Sequence, residues 1–395
     1  MTVMTGRGRA SSTQTPRPRR LMPALEQPGD ALAHIGPNWF AAVMGTGIVA
    51  TAAATLPRQA TGLHDFAVGV WILAACLLAT LLVATCVHWI RYPAQARSHI
   101  AHPVMGHFYG APPMALLTVG AGALLLGKDI IGFTAALRVD WVLWIAGTVT
   151  GSLSAAVVPY FSFTRHEYRS DSAFGGWLMP IVPPMVSATT GALLVQTMGP
   201  GQLRETLLAL CYAMFGLSLF AGVVVITLIW GRLAQHKVGA AAAVPTLWIV
   251  LGPLGQSITA ANGMGTAAKT VLTAPYADGA AALGLFYGLA TWGFAMLWIA
   301  IAVAVTVRTA RRRLPFTLGW WSFTFPVGTV VTGTSALAAR SHLDFFAWAA
   351  VVLYIGLLAA WITVFTRTAR GTLHGRLFLT PAVMSTDLPG VMPEY

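Results

Sequence analysis

Residues 319–326 read Gly-Trp-Trp-Ser-Phe-Thr-Phe-Pro and open an apolar segment that extends to residue 338. Proline, glycine and hydroxyl residues interrupt this segment, whereas the next apolar segment, 345–365, contains no proline. Irregular backbone is tolerated at membrane depth only where protein or a water-filled cavity surrounds it. The pair therefore predicts a broken helix inside a membrane protein, followed by a smooth helix that can face lipid.

The same alternation recurs along the chain. Of its 395 residues, 56% are hydrophobic and only 9% are charged, whereas a soluble domain carries about 25% charged residues. A membrane-spanning helix takes about 20 apolar residues, so most of the chain is predicted to lie in the membrane. The predicted spans are 38–56, 66–90, 109–127, 139–161, 177–197, 207–230, 245–264, 281–307, 319–338 and 345–365.

The odd-numbered spans are the broken ones, and they recur with a period of about 70 residues, which indicates a repeated helical hairpin. Proline kinks a helix and frees a carbonyl, and the predicted kinks are Pro113, Pro183, Pro253 and Pro326. The simplest arrangement places five broken helices around a central path and five smooth helices outside them. We therefore predict an all-α polytopic membrane protein with ten transmembrane helices in five hairpins.

The basic residues are distributed unevenly across the predicted membrane. Eighteen of the 24 Lys and Arg residues fall on one side and six on the other. Cytoplasmic loops carry an excess of Lys and Arg, so both termini are predicted to be cytoplasmic, which requires an even number of spans. Residues 1–33 predict a disordered cytoplasmic tail, residues 34–368 the transmembrane domain, and residues 369–395 a second cytoplasmic tail. The net charge of +12 is confined to loops and tails, which disfavours nucleic acid as a partner, and the Arg-rich, Lys-poor usage favours a bacterial plasma membrane.

Helical phase, at 100° per residue, indicates which residues share a face. In the ninth span one face carries Ser322, Phe325, Thr329 and Thr332, and Phe323 lies off it. The other broken spans present similar polar stripes, so the residues predicted to line the path are Thr46, Thr118, Ser187, Thr190, Gln256, Thr259, Ser322 and Thr329. Any one of these side chains could instead bond a neighbouring helix or its own backbone, a common use of hydroxyl groups in membranes.

No Asp or Glu falls in the middle of a predicted span, and all twelve acids are expected in loops, tails or span ends. Buried ionisable residues mark proton relays and ion-coupling sites, so an obligatory carboxylate relay is not expected. A path lined by hydroxyl groups and helix dipoles would hold anions weakly, and weak binding favours fast conduction.

Three motifs are distinctive: Pro-Asn-Trp-Phe at 37–40 followed by Met-Gly-Thr-Gly-Ile at 44–48, Pro-Thr-Leu-Trp at 245–248 with Gly-Pro at 252–253, and Trp-Trp-Ser-Phe-Thr-Phe-Pro at 320–326. Together with the five helix pairs, they resemble the tellurite-resistance/dicarboxylate transporter family. This family includes fungal malate permeases, yeast sulfite exporters and plant guard-cell slow anion channels. The resemblance extends from Pro37 to about Arg367.

The resemblance implies an inner ring of odd-numbered helices around a quasi-five-fold pore, an outer ring of even-numbered helices, and a homotrimer with one pore in each subunit. It also implies that a phenylalanine blocks the pore, and this residue corresponds to Phe325. An aromatic ring in a narrow tube blocks it sterically and by dewetting. The implied substrates are small anions such as malate, sulfite, nitrate or chloride, with neither a cofactor nor a metal ion.

Other interpretations stay open at this stage. A proton-coupled secondary transporter of the same family would move the same anions. A membrane-embedded enzyme is disfavoured because no intramembrane His–carboxylate arrangement is visible. His99, His102 and His107 could bind a metal, although loop structure is the commoner role. The basic stretch 165–169 could form an anion-concentrating vestibule or anchor the topology.

Overall fold

The computed structural model describes residues 22, 24–25 and 28–378. Within these residues the protein is almost entirely helical and has no β-strand. Its α-helices are α1 (Phe40–Thr55), α2 (Leu63–Arg91), α3 (Pro93–Ala101), α4 (Ala111–Gly122), α5 (Lys128–Ile131), α6 (Phe133–Arg165), α7 (Pro183–Val195), α8 (Gln202–His236), α9 (Leu251–Val271), α10 (Tyr276–Ala310), α11 (Phe325–Ser341) and α12 (Asp344–Leu373).

A short 3₁₀ helix precedes each of α1, α4, α7, α9 and α11. We call these five α-helices the broken helices, and each one together with its 3₁₀ helix a broken segment. The 3₁₀ helices are Pro37–Trp39, Met105–Gly110, Gly175–Leu178, Ala241–Val250 and Leu318–Phe323. They begin within four residues of the starts predicted for the odd-numbered spans. The helices α2, α6, α8, α10 and α12 are the smooth helices.

The four predicted kink prolines lie in the first turn of their α-helices. Pro183 is the first residue of α7 and Pro326 is the second of α11. Pro113 and Pro253 are the third residues of α4 and α9. A proline is tolerated there because the first amide groups of a helix have no intrahelical acceptor. These prolines therefore mark the junction where the 3₁₀ helix gives way to the α-helix.

Seven helical segments among the described residues are long and apolar enough to cross a membrane, and they include all five smooth helices. The other two are Met105–Ile131, which is the broken segment of α4 continued through residues 123–131, and the broken segment Ala241–Val271. The remaining broken helices, α1, α7 and α11, have 16, 13 and 17 residues. The protein is therefore a multi-pass helical membrane protein.

The broken helices pack against one another in chain order. Helix α1 contacts α4, α4 contacts α7, α7 contacts α9, α9 contacts α11, and α11 contacts α1. Each smooth helix packs against the broken helix that precedes it. The backbones approach closely at Gly255, where a Cβ atom would lie 2.4 Å from the Val330 amide nitrogen of α11. In Met105–Ile131 and Ala241–Val271, 67% and 72% of the most apolar 18-residue stretch is buried inside the protein. The corresponding share in the smooth helices is 17–39%.

Side chains of the smooth helices satisfy carbonyl groups of the broken segments. Each of the five smooth helices donates such a hydrogen bond. The pairs are Trp71 with Val119 O (3.0 Å), Trp144 with Ser187 O (3.0 Å), Ser218 with Ile181 O (2.6 Å), Trp298 with Leu247 O (2.8 Å) and Tyr354 with Val49 O (3.3 Å). Val49, Val119 and Ser187 lie within α-helices and Leu247 lies within a 3₁₀ helix, so four of these bonds chiefly join the smooth helices to the broken segments. Ile181 lies between the 3₁₀ helix Gly175–Leu178 and α7. A buried carbonyl without a partner costs about 1–3 kcal/mol, so the Ser218 bond stabilises the irregular backbone there.

Two features differ from the sequence-based predictions. The 3₁₀ helix Pro28–His34, of which residues 28–33 belong to the predicted disordered tail, packs against α2. Within it the Leu32 carbonyl oxygen lies 2.8 Å from His88 Nδ1. The rest of both predicted tails lies largely outside the described residues. The fourth predicted span, 139–161, is the central part of a longer helix, α6, which begins at Phe133. Asp140, at the end of the predicted span, therefore lies about 10 Å inside the helix, where it is fully buried.

Candidate functional site

The five broken segments meet at a small central cavity. Each segment contributes at least two side chains or glycines to its wall. The lining residues are Ala41, Met44, Phe108, Met114, Met179, Val182, Ile249, Gly252, Leu318, Ser322, Phe325 and Pro326. The cavity volume is about 10 Å³, which is room for one water molecule at most. The centre of the bundle is therefore closed.

Phe325 is the first residue of α11 and is 2% exposed. It lines this cavity together with residues from all five broken segments. The walls are apolar, and Ser322 supplies the only hydroxyl group among the lining side chains. An apolar constriction of this size excludes hydrated ions by steric block and by dewetting.

Close backbone contacts hold the 3₁₀ helices together around the cavity. A Cβ atom at Gly110 would overlap the Met179 carbonyl oxygen, and one at Gly175 would overlap the Thr246 carbonyl oxygen. A Cβ atom at Gly45 would overlap the Thr324 hydroxyl. Only glycine permits such approaches. Contacts at these three positions join neighbouring broken segments.

Of the residues predicted to line a path, Ser322 and Phe325 reach the cavity and the other seven do not. Two of these accept hydrogen bonds from smooth helices: Thr46 Oγ1 lies 3.2 Å from Trp361 Nε1, and Ser187 Oγ lies 3.0 Å from Thr148 Oγ1. Three others donate to backbone carbonyls, Thr118 to Met114, Thr190 to Val186, and Thr329 to Pro326 and Leu251. In this structure these five hydroxyl groups serve helix packing.

The remaining two predicted residues lie on α9, beyond the level of Phe325. The Thr259 and Thr332 hydroxyl oxygens are 2.9 Å apart and join α9 to α11. Thr189 of α7 donates to the Gln256 carbonyl (3.3 Å), and Gln256 Oε1 is buried without a partner among the described residues. Thr189 lies one residue and 100° away from Thr190, so helical phase does not place it on the predicted polar face. Thr332 lies on the polar face of the ninth span.

Basic residues surround the end of the bundle at which the cavity lies. The broken helices all have their N-terminal ends there, so the Arg-rich loops that precede them lie at the same end. Arg165 packs over the Phe161 ring at 4.1 Å, and Arg169 Nε lies 3.6 Å from Asp171. Arg232 is buried and donates to the carbonyls of Lys237 and Val238. These three guanidinium groups are thus held by intramolecular contacts.

The histidines of the same end have structural roles. His102 Nδ1 accepts hydrogen bonds from the Val104 and Met105 amides, both at 3.1 Å, and so caps the 3₁₀ helix of the second broken segment. His99 stacks on His88 with ring centroids 5.4 Å apart. Burial, reinforced by the neighbouring His88, lowers the pKa of His99 to about 4, and burial also lowers the pKa of His102. Over residues 28–378 no three potential metal ligands come together.

The broken segments enclose a cavity without charged side chains, and an apolar smooth helix packs against each broken helix. This arrangement is typical of membrane channels and transporters. The model of the family described as voltage-dependent anion channel matches residues 34–369, so the chain belongs to that family. This confirms the resemblance to the tellurite-resistance/dicarboxylate transporter family inferred from the three motifs. Members of the family transport anions.

Similar proteins come from fungi and archaea. A sulfite efflux pump of Trichophyton rubrum is 29% identical over 354 residues, which are 88% of this chain and 93% of the pump. An uncharacterized transporter of Methanocaldococcus jannaschii is 28% identical over 87% of this chain and 94% of its own length. The malic acid transport protein of Schizosaccharomyces pombe is 24% identical over 75% of this chain and 68% of its own length.

Proposed function

We propose that the protein moves small anions along the axis of the five broken segments and that Phe325 blocks this path in the closed form. The observation that carries the proposal is the central cavity, to which all five segments contribute and which Phe325 helps to reduce to about 10 Å³. Opening the path requires the Phe325 side chain to leave the axis. Helical phase places Phe325 on the same face as Ser322, and both residues line the cavity.

The proposed architecture is an inner ring of five broken helices and an outer ring of five smooth helices, ten crossings in all. The circuit of contacts from α1 through α4, α7, α9 and α11 back to α1 supports the inner ring. The three short broken helices reach a membrane-spanning length when their 3₁₀ helices are included. The segments 37–55, 175–195 and 318–341 then each have about 20 residues, the number that a crossing needs.

The proposed substrates are small oxyanions and C4-dicarboxylates, of which sulfite and malate are the first candidates. The printed functions of two relatives, sulfite efflux and malic acid transport, support this class. The broken helices also direct their N-terminal ends, the positive ends of their dipoles, toward the cavity. No charged side chain lines the cavity, so an anion would be attracted without being held tightly.

We further propose that both termini are cytoplasmic, that the membrane is the plasma membrane, and that three subunits assemble with one path each. The concentration of Arg at the cavity end supports this orientation. Native mass spectrometry of the protein released from detergent micelles would measure the subunit number, and a mass other than that of three chains would refute the trimer.

Phe325→Ala tests the proposed function in proteoliposomes loaded in turn with malate, sulfite, nitrate and chloride. Removing the benzyl group should raise the flux of the permeant anions by about an order of magnitude or more, since the steric block and dewetting are both relieved. Phe323→Ala is the matched control because the Phe323 ring packs against Trp248 and Trp320 and does not line the cavity. Equal flux through both variants and the wild-type protein would refute the gate.

A proton-coupled transporter is the second candidate, and the burial of Asp140 inside α6 favours it. The two candidates differ in their driving force. A current that reverses at the equilibrium potential of the anion would identify a channel, whereas accumulation that follows an imposed pH gradient would identify a coupled transporter.

A further inference from the structure

Asp140 is the most unusual ionisable residue of the membrane-spanning part. It lies in the third turn of α6 and its relative exposure is 0%. Neither of its carboxyl oxygens has a hydrogen-bond partner among the described residues. An ionisable side chain inside a membrane span is costly, and its usual roles are ion or proton pathways.

The helices around α6 offer Asp140 no counter-ion. Five elements pack against α6: α4, α5, α7, the π-helical turn Ala123–Gly127 and the 3₁₀ helix Met105–Gly110. The sequences of α4, α7 and the π-helical turn contain no ionisable residue. The ionisable residues of α5 are Lys128 and Asp129. Both are exposed, and Asp129 lies 3.2 Å from His64.

The remaining ionisable groups also lie away from this carboxyl group. Helix α4 runs antiparallel to α6: Pro113 near its start lies against Gly151, and Gly120 near its end lies against Asp140. His107 and Tyr109 of the 3₁₀ helix precede α4. These two side chains therefore lie at the end of the α4–α6 contact that is far from Asp140. On α6 itself Arg138 is exposed, and residues two apart do not face each other on a helix.

A buried carboxylate without a counter-ion or hydrogen bonds is so unfavourable that the group takes up a proton instead. We propose that Asp140 is a proton-binding site and that its protonation is coupled to anion movement; this inference rests on the proposed function. In the closed form the carboxyl group is neutral. In the form that releases the proton, the carboxylate must gain water or a hydrogen-bond donor. One proton and one monovalent anion crossing together transfer no net charge.

Helix α4 connects this carboxyl group to the central cavity. Asp140 Oδ1 lies against Gly120, where an added Cβ atom would be only 2.8 Å away, and the same helix carries Met114 of the cavity wall. Separation of α4 and α6 at Gly120 would let water reach the carboxylate. The π-helical turn directly after Gly122 provides a place where α4 can change its register, a use for which such turns are known at functional sites.

The experiment measures uptake of labelled malate and of labelled sulfite into proteoliposomes under a pH gradient of about one unit. One-to-one coupling then drives at most about tenfold accumulation. Asp140→Asn, which preserves shape but cannot release a proton, should abolish accumulation while downhill exchange continues. Asp129→Asn, which removes an exposed carboxylate on the adjacent α5, should accumulate both anions like the wild-type protein. Accumulation by Asp140→Asn at the wild-type level would overturn the proposal.

A second measurement does not depend on transport. The infrared spectrum of the wild-type protein should contain a protonated-carboxyl band that shifts in D₂O and is missing from Asp140→Asn. Identical spectra would overturn the proton site. If neither wild type nor Phe325→Ala passes any anion, the proposed function fails and the coupling with it, while the infrared band still decides whether Asp140 holds a proton.

Discussion

The hydroxyl oxygens of Thr259 and Thr332 lie 2.9 Å apart and join α9 to α11 beyond Phe325. Each residue also binds the backbone of its own helix, Thr259 at the Gly255 carbonyl and Thr332 at the Thr329 carbonyl. Thr259 is half-buried, whereas most of the polar residues of the broken helices are buried. This pair is therefore the polar contact that an anion is expected to meet after passing Phe325.

Replacing Thr332 by valine tests this expectation in a protein whose gate is already open. In the Phe325→Ala background, Thr332→Val should lower anion flux several-fold, because a methyl group replaces a hydroxyl that could bind the passing anion. Flux into proteoliposomes is the measurement. Thr366→Val, at an exposed position of α12, is the matched control and should leave the flux unchanged. An equal flux in the two double variants would exclude Thr332 from the path.

The contact between Trp361 and Thr46 should contribute measurable stability. Trp361→Phe keeps the aromatic ring but removes the indole N–H that lies 3.2 Å from Thr46 Oγ1. Interhelical hydrogen bonds in membrane proteins contribute about 0.6 kcal/mol on average and at most about 1.7 kcal/mol, so a loss of about 1 kcal/mol is expected. Denaturant titration in detergent measures it, with Trp89→Phe on the exposed face of α2 as the control. No loss relative to that control would show that the contact is energetically neutral.

The backbone approach at Gly110 should be intolerant of any side chain. Gly110→Ala would drive a methyl group into the Met179 carbonyl oxygen, and overpacking of this kind costs about 1–3 kcal/mol, occasionally more. Its unfolding temperature should fall accordingly. Gly69→Ala is the matched comparison, since a Cβ atom at that position of α2 meets nothing within 4 Å. Similar melting of the two variants would contradict the close contact.

The stability of the His-containing loop should depend on pH in a defined direction. Burial, with smaller effects of His88 and His102, lowers the pKa of His99 from 6.5 to about 4. Between pH 4 and 6.5 the unfolded chain binds a proton at His99 more readily than the folded protein does. The free energy of unfolding therefore rises with pH over this range and falls on acidification. His99→Asn should reduce this slope between pH 4 and 6.5 in thermal unfolding scans. The exposed His236→Asn should retain it, and an unchanged slope in His99→Asn would refute the assignment.

Sequence patterns predicted the order of the broken and smooth helices well, because proline and glycine mark irregular backbone wherever they occur. The side-chain directions of the broken segments were predicted less well. An α-helix turns 100° per residue, whereas a 3₁₀ helix turns 120° per residue. Five 3₁₀ helices precede the broken helices, so α-helical phase does not describe the side-chain directions there. Ser322 and Phe325 reach the cavity, but Thr46 and Ser187 are hydrogen-bonded by Trp361 and Thr148 of smooth helices. Such partners are distant in sequence, so the pattern of one helix could not reveal them.

The donors that the smooth helices give to the broken segments also bear on charge selectivity. Trp71, Trp144, Ser218, Trp298 and Tyr354 each bind a backbone oxygen from outside the cluster of broken helices. A carbonyl oxygen that already accepts such a bond has less capacity to bind a passing ion. Potassium channels attract cations by directing rings of free carbonyl oxygens into the pore. If the proposed path runs between the broken helices, a cation is therefore expected to find fewer carbonyl ligands there to replace its hydration shell.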